Sequence, residues 1–194
     1  MDVLTPGTLD EALRLKAEHP DALPIQGGTD VMVALNFDRE RPAAMLNLNE
    51  VAELRGWSRE NGSVRLGAGL TYTEAMRGEL ADLLPALAEA SRTVGSPQIR
   101  NRGTIGGNLG TASPAGDALP PLLVEGAEVE CMSVSGARRL PLGEFITGVK
   151  HNALGPDELI TAVWLTPSGD PQTFMKVGPR NAMVIGRASC RERV

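Results

Sequence analysis

Apolar positions recur with two periods along this chain, one helical and one of alternating strands. Thr8 followed by Glu11 has capping-box spacing, Leu9, Ala12 and Leu13 make an apolar stripe, and Pro20 closes a predicted helix of about three turns. A short strand is predicted at Leu23 to Gln26 and runs into Gly27, Gly28, Thr29 and Asp30, after which Val31 to Leu35 opens a short helix. Met45 to Leu48 reads as a second short strand. Trp57 to Arg59 and Val64 to Leu66 form a hairpin around the Asn61-Gly62 turn. Thr71 with Glu74 repeats the capping-box spacing, and the Ala- and Leu-rich stretch from Leu83 to Thr93 places two helices between Thr71 and Val94. GSPQIRNRGTIGGNLGTASPAGD then breaks the periodicity, and its glycines exclude a long helix, so it reads as a structured, functional loop system. A short helix at Leu119 to Val124 follows, then strands at Glu128 to Ser133 and Arg138 to Pro141, and a final pair at Leu159 to Leu165 and Thr173 to Val177. The order is that of a mixed α+β fold without internal repeats.

Composition sharpens this picture in one respect. The 194 residues include 22 Gly and 14 Pro but only 3% aromatic residues, so turns and close backbone approaches matter more than aromatic packing. That favours a ligand site built on loops. A net charge of −5 with evenly mixed signs leaves no basic stripe for nucleic acid. Cys131 and Cys190 stand far apart and in no Cys-x-x-Cys pattern, against a disulfide framework, a zinc site or an iron-sulfur site. The N-terminus lacks a basic start followed by an apolar stretch and no run reaches spanning length, so the expectation is a cytoplasmic protein with no membrane partner.

Two glycine pairs carry the candidate chemistry: Gly27-Gly28 in PIQGGTD and Gly106-Gly107 in TIGGN. A bound diphosphate needs several inward backbone N–H groups, and residues without a β-carbon let the main chain come close. Thr29, Thr104 and Asn108 would add side-chain donors, and the helix start after Gly28 would favour negative charge. Together the two loops could hold one pyrophosphate. A lone Gly-Gly is ordinarily a tight turn, but two with matching polar flanks are less easily dismissed. No glycine precedes Lys-Ser or Lys-Thr as a P-loop requires, and Gly67-Ala68-Gly69 lacks the third glycine of a dinucleotide fingerprint because Tyr72 stands there. His19 and His151 have no acid or cysteine patterned around them, so no triad or metal cluster is expected, and chemistry falls to a cofactor. Arg100 and Arg102 flank the second glycine pair and read as phosphate contacts, as a docking surface or as an exposed charge pair, while Asn101 between them could organise the loop by side-chain to backbone hydrogen bonding.

The same residues resemble a known family. QIRNRGTIGGNLGTASPAGD with PIQGGTD is similar to the paired FAD loops of the molybdenum hydroxylase flavoproteins, of the xanthine dehydrogenase and carbon monoxide dehydrogenase type. The likeness runs from Leu9 to about Val184, through VRLGAGLTYTE, PAGD, LPLGEFITG and FMKVGPRNAM, in the family's order. It implies a two-subdomain FAD-binding module of the PCMH / CO dehydrogenase flavoprotein type, with subdomains at 1–58 and 59–177. Residues 178–194 would be the truncated start of a C-terminal flavoprotein domain. By the same resemblance Ile25, Gln26, Gly27, Gly28, Thr29, Asp30, Val31 and Met32 form the first FAD loop. Thr104, Ile105, Gly106, Gly107 and Asn108 form the second, Asp117 and Lys176 contact the cofactor, and Ile160 packs on the flavin ring. Asp117 also reads as a turn acid, and Lys176 as a solvated strand residue. Thr29 stands where a related oxidase would carry a flavin-attaching histidine, so the FAD is expected to be non-covalent.

The family's logic implies an electron-transfer subunit, with molybdenum cofactor on a large partner subunit and 2Fe-2S clusters on a small one. The acceptor would be NAD, oxygen or a quinone-linked carrier. A stand-alone FAD-dependent oxidoreductase and a folded fragment that no longer binds flavin remain as alternatives. The last ten residues, IGRASCRERV, are polar and basic without strand alternation, and are expected to be a non-native tail resembling adapter read-through.

Overall fold

The computed structural model describes residues 1–38 and 41–177, and the backbone of residues 187–191. The first layer opens with β1 (Asp2–Leu4), α1 (Leu9–Glu18), β2 (Leu23–Ile25), α2 (Val31–Asn36) and β3 (Ala44–Asn47). β1 and β2 both pair parallel to β3, giving the strand order β1-β3-β2. The Thr8 hydroxyl caps α1 by accepting from the Glu11 amide, while the Glu11 carboxylate accepts from Gly7, one residue before a reciprocal box would place it. Lys16 closes the other end of α1 from a buried position, donating to the Pro20 and Ala22 carbonyls at 2.6 and 2.9 Å.

A second layer begins with β4 (Trp57–Glu60) and β5 (Ser63–Gly67), joined at Asn61 and Gly62, both at positive φ as that hairpin turn requires. Five helices follow: α3 (Tyr72–Ala75), α4 (Gly78–Leu83), α5 (Pro85–Arg92), α6 (Pro97–Arg100) and α7 (Ile105–Thr111). After α8 (Leu119–Val124) come β6 (Glu128–Ser133), β7 (Gly136–Pro141) and α9 (Leu142–Phe145). The chain continues through β8 (Ile146–Gly148), β9 (His151–Asn152), β10 (Leu159–Leu165), β11 (Gln172–Lys176) and β12 (Arg187–Arg191). A five-stranded antiparallel sheet runs β4-β5-β10-β6-β7, with β10 at its centre.

Two apolar cores correspond to the two layers. Ala12, Leu13, Leu46, Leu48, Val51 and Leu54 fill the first, and the larger one joins Leu66, Leu70, Leu87, Ile105, Leu109 and Phe145. β10 takes part in both: Leu159 packs into the first core and Ile160 into the second. A register shift between Ile160 and Ala162 interrupts its alternation there, as a bulge does where a side chain is re-aimed.

Four expectations change, the first being that three helices, α3, α4 and α5, stand where two are expected between Thr71 and Val94. The segment read as loops contains α6 and α7, because Ser96 and Thr104 accept from the amides three residues on and start a turn each. The β8–β9 hairpin was not anticipated, since strands of three and two residues carry no readable period. The final strand pair is not a pair: β10 lies between β5 and β6, and β11 pairs antiparallel with β12. β12 itself comes from the stretch expected to lack strand character. The FMKVGPRNAM likeness beyond Val177, and positions 185, 186 and 192–194 of the expected tail, lie outside the described residues.

Candidate functional site

The first glycine pair sits where β2 ends. The Ile25 carbonyl still accepts from Leu48 at 2.8 Å, and the chain then turns through Gly28 at φ +74°, which a glycine adopts without strain. Among the described residues, the amides of Gly27, Gly28, Thr29, Asp30 and Val31 meet no protein acceptor. Asp30 occupies the N-cap position of α2 without a side-chain cap bond, so the unsatisfied amides of that helix start stay available.

A neighbouring segment braces this loop. Arg102 donates from Nη2 to the Gln26 carbonyl at 3.3 Å and to Asn49 Oδ1 at 3.2 Å. A β-carbon on Gly27 would lie 2.9 Å from the Arg102 carbonyl carbon and 3.1 Å from Gly103 Cα, closer than nonbonded carbons tolerate. Gly27 is therefore required by protein backbone and not only by a ligand.

The second glycine pair is the first turn of α7. Thr104 forms an isolated bridge with Thr71, and its hydroxyl accepts from Gly107 at 3.0 Å. Ile105 donates to Leu70 at 2.9 Å, Gly106 to Ala68 at 2.8 Å, and Asn108 to the Thr104 carbonyl at 3.0 Å. All four amides from 105 to 108 are engaged inside the protein. This corrects the expectation of two symmetric amide cradles: only the first loop offers free N–H groups, because the second is tied into a helix and the Ala68 turn. A β-carbon on Gly106 would sit 2.7 Å from Ala68 Cβ, so that glycine too serves close backbone packing.

The two loops share one cleft of about 460 Å³, within the range of cofactor sites. Ile25, Gln26, Gly27, Gly28, Thr29, Asp30 and Val31 line one side; Thr104, Gly106, Gly107 and Asn108 line the other. Ile160, Leu159, Leu154 and Leu48 give it an apolar floor at the seam between the cores. Thr111 donates to Asp30 Oδ2 at 3.0 Å and ties the two sides together. A second, more open depression of about 520 Å³ between α1 and the β6–β7 hairpin is bordered by Asp10, Arg14 and Val134 and contains none of the candidate residues.

Four expected site residues lie elsewhere. Met32 is solvent-exposed on α2, and Ile105 is fully buried in the larger core, facing away because α7 packs there. Asp117 and Lys176 do not line the cleft. They form an ion pair of 3.0 Å with both side chains nearly covered. The pair stands behind the site, since the next residue, Ala118, donates its amide to Asn108 Oδ1 at 3.3 Å. Conversely, Ala68, Tyr72, Gly110, Thr111 and Lys150 line the cleft and are not among the expected site residues. Gly67-Ala68-Gly69, set aside as a failed fingerprint, supplies the wall on which α7 rests. Its signal was the pair of glycines: β-carbons at 67 and 69 would meet the Leu54 backbone within 3 Å. Of the three residues that flank the second glycine pair, Arg100 binds the carbonyls of Arg92, Val94 and Gly95, and Asn101 accepts from Thr73. Arg102 is the brace already described. Among the described residues no group of three or more His, Cys, Asp or Glu could hold a metal ion, and no helix is long and apolar enough to cross a membrane.

Five unpartnered amides at one lip, a helix start opposite and an aliphatic floor define a protein that holds a cofactor with an anionic part and a flat apolar part. Comparison with known proteins gives the family. Residues 1–167 match the model of the FAD binding domain in molybdopterin dehydrogenase, and the chain belongs to that family. The xanthine dehydrogenase FAD-binding subunit of Escherichia coli O157:H7 is 34% identical over 188 residues, which is 94% of this chain and 64% of that protein. The nicotinate dehydrogenase FAD-subunit of Eubacterium barkeri is 34% identical over 95% of this chain and 65% of its own length. This chain thus spans under two thirds of these relatives. Among solved structures, quinoline 2-oxidoreductase from Pseudomonas putida 86 superposes with a TM-score of 0.93 at 25% identity, covering 97% of this chain and 67% of that one. The Cu,Mo-CO dehydrogenase superposes with a TM-score of 0.92 at 26% identity, covering 97% and 68%.

Proposed function

We propose that this chain holds FAD non-covalently as the flavin station of a multi-subunit molybdenum hydroxylase, passing electrons from iron-sulfur clusters to an external acceptor. The observation that carries the reading is the run of free amides from Gly27 to Val31, facing α7 across one cleft with an apolar floor. In this reading the first loop binds the diphosphate, with Thr29 adding a hydroxyl. The α7 turn and Asn108 form the opposing wall, and Ile160 supports the ring. Asp117 and Lys176 act from behind by holding the Asn108 end of that wall. The two subdomains would correspond to the two sheets, with the division falling before β4 at Trp57, since a boundary at 58 would cut that strand.

A bound flavin supplies the hydride and electron-transfer chemistry, while the chain's own residues bind it, orient it and exclude water from one face. Relatives named as FAD subunits of xanthine and nicotinate dehydrogenases support a role as one component among several. The partners would be a molybdenum-binding large subunit and a 2Fe-2S small subunit, with NAD, oxygen or a quinone-linked carrier as acceptor, in the cytoplasm. A flavin absorbance spectrum of the purified chain after incubation with FAD tests the reading. One FAD per chain is expected; a colourless protein after gel filtration would refute it.

A further inference from the structure

We propose that Lys150, at the tip of the β8–β9 hairpin, is the cation of the cleft and selects a cofactor bearing a diphosphate over an uncharged flavin. The inference rests on the FAD reading and assigns it a residue that the resemblance did not supply.

Two charged side chains line the cleft, Asp30 and Lys150. The Asp30 carboxylate accepts from the Thr111 hydroxyl, which fixes a negative charge on the same side as the free amides. A cation bordering the same cleft would offset that carboxylate and add a charge-assisted contact to a diphosphate held by those amides. The other cations of this region are committed elsewhere. Lys176 is paired with Asp117, Arg102 holds Gln26 and Asn49, and Arg100 holds three carbonyls. The Lys150 ammonium makes no ion pair or hydrogen bond among the described residues.

Its backbone is held in place deliberately. Lys150 has φ +58°, a left-handed conformation that glycine or asparagine would adopt at lower cost in a two-residue hairpin turn. The turn is fastened to the C-terminal end of α7 by the Lys150 amide to Ala112 at 2.9 Å and by Asn152 Nδ2 to Gly110 at 2.8 Å. Thus the helix that forms one wall also fixes the lysine that borders the same cleft. A non-glycine residue kept in a strained turn at a site is better explained by its side chain than by the turn.

The test is a binding series on the 194-residue chain with riboflavin and FAD, followed by flavin fluorescence at low and high salt. Lys150→Gln should weaken FAD about tenfold or more, as expected when one charge-assisted contact is lost, and leave riboflavin unchanged. Lys150→Arg should retain most of the FAD affinity. Lys150→Gly relieves the backbone and should match or exceed the wild type in thermal stability while losing FAD affinity as the glutamine variant does. That combination separates a charge role from a role in holding the hairpin. FAD binding by Lys150→Gln equal to that of the wild type overturns the assignment and leaves the FAD reading standing. A wild-type chain that binds neither flavin overturns that reading, and the assignment with it.

Discussion

Replacing Gly27 with alanine is the sharpest perturbation of the cleft, because the added methyl meets main chain on the far side of the loop. The new carbon would stand 2.9 Å from the Arg102 carbonyl carbon and 3.1 Å from Gly103 Cα, where carbon–carbon contacts settle at about 3.5–4.0 Å. The Arg102 carbonyl oxygen is closer still, and none of these atoms is the end of a flexible side chain, so relief requires the two segments to separate by about an ångström. That movement stretches the Arg102 bond to Gln26, already 3.3 Å long. Overpacking of this kind costs about 1–3 kcal/mol. In a chain of this length it corresponds to a fall in Tm of roughly 2–12 °C. Differential scanning fluorimetry and an FAD titration on the same preparation give both readouts, and both should decline. Gly107→Ala is the matched control: its β-carbon meets only the Thr104 hydroxyl at 3.0 Å, so its stability loss should be smaller. Equal Tm and FAD affinity for Gly27→Ala and the wild type would refute the claim that the two segments touch through Gly27.

Three further outcomes are expected. Glu158 makes a two-point bridge to Arg138 at 2.6 and 2.7 Å, which holds its carboxyl below the ordinary 4.5. A depressed folded value stabilises the protein above pH 4.5 and loses that stabilisation as pH falls through it. Glu158→Gln should therefore be less stable than the wild type at pH 7, by under about 1 kcal/mol given the half-exposed arginine, with the gap closing in acid denaturation series below pH 4.5. Burial pushes the Cys131 thiol up to about 11, so in a Cys190→Ser background the remaining thiol should ignore a disulfide reagent at pH 8 until denaturant is added; rapid labelling of the folded protein would contradict this. Lys16→Met keeps the buried stem but removes both donors to Pro20 and Ala22, and urea unfolding should show a loss of about 1–3 kcal/mol.

Much of this arrangement is legible in the sequence where local physics decides it. Thr8 and Thr71 mark helix starts through hydroxyls that accept from amides three residues on, and the Asn61-Gly62 turn fixes one hairpin, whereas the same caps at Ser96 and Thr104 are masked by the glycines that follow. Both glycine pairs could be picked out as polar-flanked turns. What sequence could not give is which amides remain free. That depends on Ala68 and Leu70 accepting from Gly106 and Ile105, contacts made by a strand end some forty residues earlier. The pairing of Lys176 with Asp117 is equally non-local, joining β11 to the turn before α8. Lys150 was invisible for another reason: its hairpin is too short to show a period, and a lone lysine in a polar stretch reads as solvated surface.

A crystal structure of the chain with FAD measures the central claim most directly. Diphosphate oxygens about 2.7–3.2 Å from amides between Gly27 and Val31 are the expected result. FAD seated elsewhere, with those amides facing solvent, would contradict it.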